Sequence, residues 1–441
     1  TNQLMSKKKR LIGLLCATAL CSQGLYAQSQ LMGIDELLRL ADAQSKSIQT
    51  YRTGTEAAGE ALKAAKAQRL PDVNVSLSAS YLGNGKIWDR DFGNAMTVDM
   101  PHFGNNFAIE AQQVIYAGGA ISSGIRQAEL GKQLAELDLQ KDIQEVRFLL
   151  LGHYLNLYKL DNHIKVLQDN IRLTDEVIAN MKAKREQGTV LKNDITRYEL
   201  QKEQLNLQLT RARDARTTAN FQLVTTLHLP EGTEIKPDTA MLEQKIQTLT
   251  ENEWQDMARA NNILLKQTQT AIRLNEQKVK QERAERLPHI SIVAADHLDG
   301  PVTIEVPALD NNFNYWYIGV GIKYNLSSLF KNNNRLRQAR LNVRQAQENH
   351  QLAQEKIKND VQEGYVNFMT SFTDLRTQEK SVKLADENYS VTDNRYKNDM
   401  ALLTDMIDAS NMKLSADLGL VNARINILYN YYKMKYITHT L

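Results

Sequence analysis

Cysteine is almost missing from this chain. Two occur in 441 residues, Cys16 and Cys21, and both lie within the first 27 positions. Proline (7) and glycine (21) are also sparse, which excludes collagen-like repeats and argues against a disordered chain. No run approaches the roughly 20 apolar residues that a membrane-crossing helix needs, and the mean hydropathy is −0.46. Charge of a single sign is lacking too, with 54 basic against 51 acidic residues.

The basic excess belongs to the first residues. Met5 is followed by Lys7-Lys8-Lys9-Arg10, a short apolar stretch from Leu11 to Leu20, and small Ala27 after Leu25-Tyr26. This layout predicts a secretory signal peptide over 1–27, the apolar stretch being too short to span a bilayer. Without Lys7, Lys8, Lys9 and Arg10 the chain has 50 basic and 51 acidic residues, a net charge of −1. A nucleic-acid partner then has no basic field to meet. Both cysteines leave with the leader, so disulfides, thiolate chemistry and cysteine–metal sites are excluded from what remains.

What is present is written twice. Arg69-Leu70-Pro71 precedes the alternating Val73, Val75, Leu77, Ala79 and Tyr81; Arg286-Leu287-Pro288 precedes Ile290, Ile292 and Ala294, 217 positions on. Arg126-Gln127-Ala128 returns as Arg337-Gln338-Ala339, Asp194 as Asp405 and Lys202 as Lys413, each 211 positions on. The drop of six predicts a longer first-copy loop, within 83–104 against 299–312. The expected organisation is a first structural repeat over 28–229, a linker over 230–252 and a second repeat over 253–441.

Each copy predicts a helix (34–69; 253–286), a strand (72–82; 289–298), a loop and a second strand (105–116; 313–326). A very long helix (120–186; 334–397) and a last helix of about 40 residues follow. Stepping by four and three from Leu139 meets Ile143, Val146, Leu150, His153, Leu157, Leu160, Ile164, Leu167, Ile171, Thr174, Ile178 and Met181. That is a coiled-coil seam. At 1.5 Å per residue a 65-residue helix is roughly 100 Å long, a length that suits a rod or a tube.

Four strands cannot close a barrel alone and would leave two exposed edges. They alternate and are rich in aromatics: Tyr81, Phe107, Tyr116, Tyr315, Trp316, Tyr317 and Tyr324. Short aromatic-ended strands fit the wall of a transmembrane barrel shared between chains. On the strands alone a small soluble β-domain with one greasy face fits slightly better; export and the long helices shift the balance to the barrel. No His-Glu-x-x-His spacing, phosphate loop or catalytic constellation appears, so no enzyme, metal or cofactor is expected.

The duplicated order of helix, strand, strand and long helix pair resembles the TolC family of outer-membrane efflux channels. So does Gln113-Val114-Ile115-Tyr116-Ala117-Gly118-Gly119, which is similar to that family's exit from the second strand. Gly188 to Asp194 and Asp405-Met406-Ile407-Asp408-Ala409 resemble its helix turns. The resemblance implies a mainly α fold with a small β part. A homotrimer would form a long α-helical barrel continued by a transmembrane β-barrel in the Gram-negative outer membrane. It implies a passive exit duct for efflux or type I secretion, spanning the outer-membrane lipid. Its partners would be a periplasmic adaptor and an inner-membrane pump or ABC exporter.

The resemblance also places a periplasmic gate at Asp405, Asp408, Tyr396 and Asp194, and adaptor contacts at the hairpin tips: Gly188, Thr189, Val190, Asp399, Met400 and Ala401. Ala401 stands where the family has an arginine. On the sequence alone the commoner reading of such acids is a helix's first turn, where the dipole favours them, and it is the resemblance that reverses it. The alternative is a periplasmic adaptor or coiled-coil scaffold without channel activity. An adaptor has one hairpin set in β-rich domains, whereas two hairpins and four strands are expected here.

Overall fold

The computed structural model describes residues 29–240, 246, 248–305, 308–398 and 400–441. The leader expected over 1–27 and the tip residue Asp399 lie outside the described residues. The elements are β1 (Ser29–Met32), α1 (Ile34–Gln44), α2 (Lys46–Ala67), β2 (Asp72–Tyr81), β3 (Gly85–Ile87), β4 (Met96–Val98), β5 (Phe103–Tyr116), α3 (Ala120–Glu186), α4 (Lys192–Thr226) and β6 (Glu234–Pro237). They continue with α5 (Glu251–Asn261), α6 (Ile263–Ala284), β7 (His289–Gly300), β8 (Phe313–Lys323), α7 (Ser328–Lys331), α8 (Asn333–Lys397) and α9 (Leu403–Ile437).

The duplication is visible element by element. α1 and α2 return as α5 and α6 with every boundary displaced by 217, and α4 returns as α9 displaced by 211. The single helices expected over 34–69 and 253–286 are each broken once. Ser45 (φ −59°, ψ 125°) and Asn262 (φ −59°, ψ 124°) leave the helical region while their N–H groups still reach back to Ala41 and Ala258. Both side chains are buried, and no hydrophobic period reveals such a break. The last helices have 35 residues each, and the strand expected to reach 326 ends at Lys323. The first-copy loop holds a small hairpin, β3–β4, that its Gly-, Asn- and Asp-rich composition concealed.

The chain divides into two compact units, and they are not the two copies. One comprises residues up to Thr50, Gln140–Asn262 and Lys356–Leu441; the other comprises Tyr51–Leu139 and Ile263–Glu355. Each takes material from both copies. The first unit is helical, with the parallel pair β1–β6 at residues 29–32 and 234–237. Its core follows the expected seam: Val146, Leu150, Leu157, Leu167, Ile178 and Met181 of α3 are buried, as are Ile195, Tyr198, Leu205 and Leu209 of α4. On α9 the buried positions are Met406, Ala409, Ala416, Ala423 and Ile427. α3 is buried more widely at Leu150, Leu151, Tyr154 and Leu155. There the Tyr154 hydroxyl donates to the Met32 carbonyl (2.6 Å) and accepts from the Asp238 N–H (2.9 Å), tying the β1–β6 pair to the long helix.

The second unit holds an antiparallel sheet of order β2-β5-β7-β8. Gly118 and Gly119 carry β5 into α3 with φ of +61° and +90°. A Cβ on Gly118 would stand 2.8 Å from both the Ala284 carbonyl oxygen and Leu287 Cβ. The Gly-Gly exit is therefore required by close approach of the backbone to the end of α6 as well as by its left-handed turn.

Candidate functional site

Pairing in the sheet fixes which residues share a face. One face carries Val73, Val75, Leu77 and Tyr81 of β2, Phe107 and Ile109 of β5, Ile292 and Leu298 of β7, and Trp316, Ile318, Val320 and Ile322 of β8. Most of these stand exposed, Trp316 at 74%. The other face carries Asn74, Ser76, Ser78 and Ser80, then Asn106 and Glu110, then Ser291, His297 and Asp299. One face is thus apolar and the other polar, while β2 and β8 each keep an edge unpaired among the described residues.

The seven aromatics expected to form one belt are divided by this register. Tyr81, Phe107, Trp316 and Tyr116 lie on the apolar face, Tyr116 after an irregularity between Val114 and Tyr116. Tyr324 follows the last residue of β8. Tyr315 and Tyr317 stand on the polar face, their rings stacked on His297 with centroids 5.0 and 6.2 Å apart. Three consecutive aromatics on a strand of period two cannot share a face. At the Trp316 end the apolar face closes with Asn314 donating to Asp296 (2.8 Å).

At the other end of the long helices the two tips use the same turn. The Thr189 N–H bonds to the Lys184 carbonyl (3.1 Å), and 211 residues on the Met400 N–H bonds to that of Arg395 (2.7 Å). Gly188 occupies the left-handed position at φ +75°, as the αL helix end requires. Val190 packs partly buried against the cluster of Val177, Ile178, Met181, Ile195, Tyr198 and Met406, together with Tyr396, Leu403 and Ile407. Thr189 turns its hydroxyl back onto the Lys184 carbonyl (2.9 Å), and Ala401 is half-buried.

The candidate gate residues occupy equivalent places. Asp194 and Asp405 are both third in their helices, each N–H bonded to the carbonyl of the leucine before the helix at 3.1 Å. The Asp405 carboxylate also accepts the Leu402 N–H (3.0 Å), so it caps the start of α9. Asp408, one turn on, is exposed with Asp405, while Asp194 is half-buried.

Two cations missed by the motif comparison organise the tips. The Lys184 ammonium lies 5.6 Å from the Tyr396 ring centre and donates to the Lys397 carbonyl (3.1 Å) near the end of α8. Arg395 donates to the Met400 carbonyl (3.1 Å). Together these two cations satisfy backbone carbonyls of the second tip. Their signal was present in the sequence, since basic residues close the last turns of both long helices, where the helix dipole favours them.

Among the described residues no group of three or more His, Cys, Asp or Glu could hold a metal, and no helix is long and apolar enough to cross a membrane.

A family model described as outer membrane efflux protein matches residues 37–227 and 254–432. The fold is similar to that of the outer membrane protein VceC from Vibrio cholerae (14% identity, 92% of this chain and 96% of that one, TM-score 0.76). It is also similar to CusC (13%, 94% and 95%, TM-score 0.79) and to the open-state MtrE outer membrane channel of Neisseria gonorrhoeae (15%, 92% and 88%, TM-score 0.74). No curated protein matches in sequence. With its helix pairs, tip turns and two-faced sheet accounted for by one architecture, the chain belongs to the outer membrane efflux protein family: a channel protein of the outer membrane, built of α-barrel and β-barrel parts, and not an enzyme.

Proposed function

We propose that the chain works as a homotrimeric exit duct of a tripartite efflux or type I secretion system. It meets a periplasmic adaptor and, through it, an inner-membrane pump or ABC exporter. The observation that carries this reading is the sheet. Four strands with one apolar face, one polar face and two free edges satisfy their backbone only by joining further copies, and three chains bring twelve strands, enough to close. The apolar face then meets outer-membrane lipid, with Tyr81, Phe107, Tyr116 and Trp316 toward it, and the polar face lines the passage. The stretch 28–229 and its copy 253–441 supply alternate parts of one ring, bridged by 230–252.

The tips are the entrance. Asp405 and Asp408 share a face of α9 and remain open to solvent, so three chains would set six carboxylates around the opening. Tyr396, Asp194 and the Lys184 cap hold that end closed, and Gly188, Thr189, Val190, Met400 and Ala401, with Asp399, offer the adaptor its contact. The test is single-channel current in planar bilayers. Asp405→Asn with Asp408→Asn removes the charge and keeps an oxygen to accept the Leu402 N–H. Block by a trivalent cation added on the tip side should weaken about tenfold, equivalent to about 1.4 kcal/mol. Unchanged block would remove the two aspartates from the gate, and a protein that conducts nothing would count against the duct.

A further inference from the structure

The polar face of the sheet carries a row of rings. Register puts Phe313, Tyr315 and Tyr317 of β8 on that face, with His297 of β7 opposite Tyr315. The His297 ring lies 5.0 Å from that of Tyr315 and 6.2 Å from that of Tyr317, and it is near parallel to both, at 11° and 12°. Phe313 extends the row, 5.5 Å from Tyr315. Four rings thus form one ladder along the β7–β8 pair. The ladder is open to its surroundings: Phe313 is 54% exposed, and both tyrosines are exposed as well.

Neither lipid nor the fold accounts for these rings. The residues assigned to lipid stand on the opposite face. The duplicated hairpin β2–β5 holds the equivalent place in the sheet, and its polar face carries Ser76, Ser78 and Ser80 with no ring on either strand. A polar lining therefore forms without aromatics, and only the second hairpin has them.

The ladder has a free end with a charge beside it. The next residue of β8 on this face after Tyr317 is Gly319, where a Cβ would meet nothing within 4 Å. Gly319 is not among the glycines with positive φ. Glycine weakens a strand interior, and here neither packing nor backbone requires it. The space beside the Tyr317 ring is therefore left clear. Glu110 and Tyr317 stand on one row, on either side of Ala295. Two strand spacings separate them, about 10 Å. Ala295 is small and buried, so the row is a notch with a carboxylate on one wall and a ring on the other. His297 Nε2 stands 3.9 Å from Glu110 Oε1, too far for a hydrogen bond, and Glu110 stays exposed. Among the paired residues of this face the one lysine or arginine is Lys323, at the far end of β8 from Phe313.

Ring faces carry partial negative charge and the carboxylate a full one, so both attract a cation and both disfavour an anion. The stack adds a demand for flatness. We propose that the β7–β8 ladder is a binding site for flat aromatic organic cations. The ligand's ring stacks on the free end at Tyr317, over Gly319, with its positive charge toward Glu110. Two modest contacts hold the ligand and let it go, as a site on a conducting path must. The inference deepens the duct reading above, on which it rests, by naming a class of molecule that pauses on the passage.

The test uses the full chain in detergent, with ethidium as the flat cation and pyrenesulfonate as a flat anion. Fluorescence anisotropy should show saturable binding of ethidium and none of pyrenesulfonate. Tyr317→Leu and Glu110→Gln should each weaken ethidium binding about fivefold, and Tyr317→Phe, which keeps the ring, should leave it unchanged. Gly319→Val keeps both groups, fills the free end and should abolish binding. Ethidium binding that survives these substitutions, or equal binding of the anion, would overturn the site. In planar bilayers ethidium should reduce the single-channel current, at about fivefold higher concentration in Tyr317→Leu. Binding with no effect on the current of a conducting channel would take the ladder off the passage and overturn the proposal. A channel that conducts and binds no ethidium would overturn the ladder and leave the duct standing. Ethidium bound through Tyr317 and Glu110 by a chain that conducts nothing would support the site and count against the duct.

Discussion

Gly118 and Gly188 share the left-handed φ and differ in everything else. A Cβ at Gly118 would press on the Ala284 carbonyl and Leu287 at 2.8 Å, whereas one at Gly188 would meet nothing within 4 Å. Alanine pays the left-handed penalty of about 1–2 kcal/mol at either site, but only at Gly118 must packed backbone also move. Gly118→Ala is therefore expected to lower the melting temperature well beyond Gly188→Ala, and equal shifts by calorimetry would contradict the close approach. His153 gives a second prediction. It interrupts the apolar seam of α3, and burial lowers its pKa below the usual histidine value. The unfolded chain then binds the proton more tightly, so stability is full above about pH 6.5 and is lost as pH falls through the histidine range. His153→Leu should flatten the melting temperature between about pH 7 and pH 5. An unaltered slope would place the acid sensitivity elsewhere, with His163, whose pKa burial also lowers, as the next group to replace.

Elements show how far a pattern of residues can be trusted. The heptad steps on α3 predicted its buried face because a coiled-coil seam is a local property of helix geometry. The sheet was less transparent. Aromatic count suggested a single belt, but only the pairing of Trp316 with Asp296 and of Tyr315 with His297 fixes which rings share a face. Neighbouring positions on β2 make this measurable. Ser76→Cys on the polar face should react with a membrane-impermeant thiol reagent in reconstituted protein, and Val75→Cys on the apolar face should be protected. Equal labelling would count against a lipid-facing side. Helix ends behave like the seam in one respect and unlike it in another. His228 and His439 end α4 and α9 in the same left-handed position, at φ +50° and +55°. Both copies thus keep the same ending, and histidine is among the few non-glycine residues enriched in that left-handed region.

The whole molecule is unfinished as one chain. Among the described residues β2 and β8 have open edges and the apolar face of the sheet is exposed, a combination that soluble single chains avoid. Folding and assembly should therefore be linked. The apparent melting temperature in detergent is expected to rise with protein concentration, as mass action requires of an assembly whose monomer is poorly stable. A melting temperature independent of concentration over two decades would show that the monomer is stable by itself.

The amino-acid sequence by itself determined the duplication, the long helices with their seams, the four strands and the family. Each of these is written in local periodicity or in fixed offsets such as 217 and 211. It also carried the two aspartates of α9, although only the structure shows that Asp405 spends an oxygen on the start of its own helix. The breaks at Ser45 and Asn262, the division of the aromatics between two faces, and the stacking of His297 on Tyr315 and Tyr317 were decided by tertiary structure alone. The physical reason is the same in each case. Burial at a helix break, the face of a ring and the ring it stacks on depend on which surfaces meet, and the spacing of residues along one strand or helix does not record its neighbour.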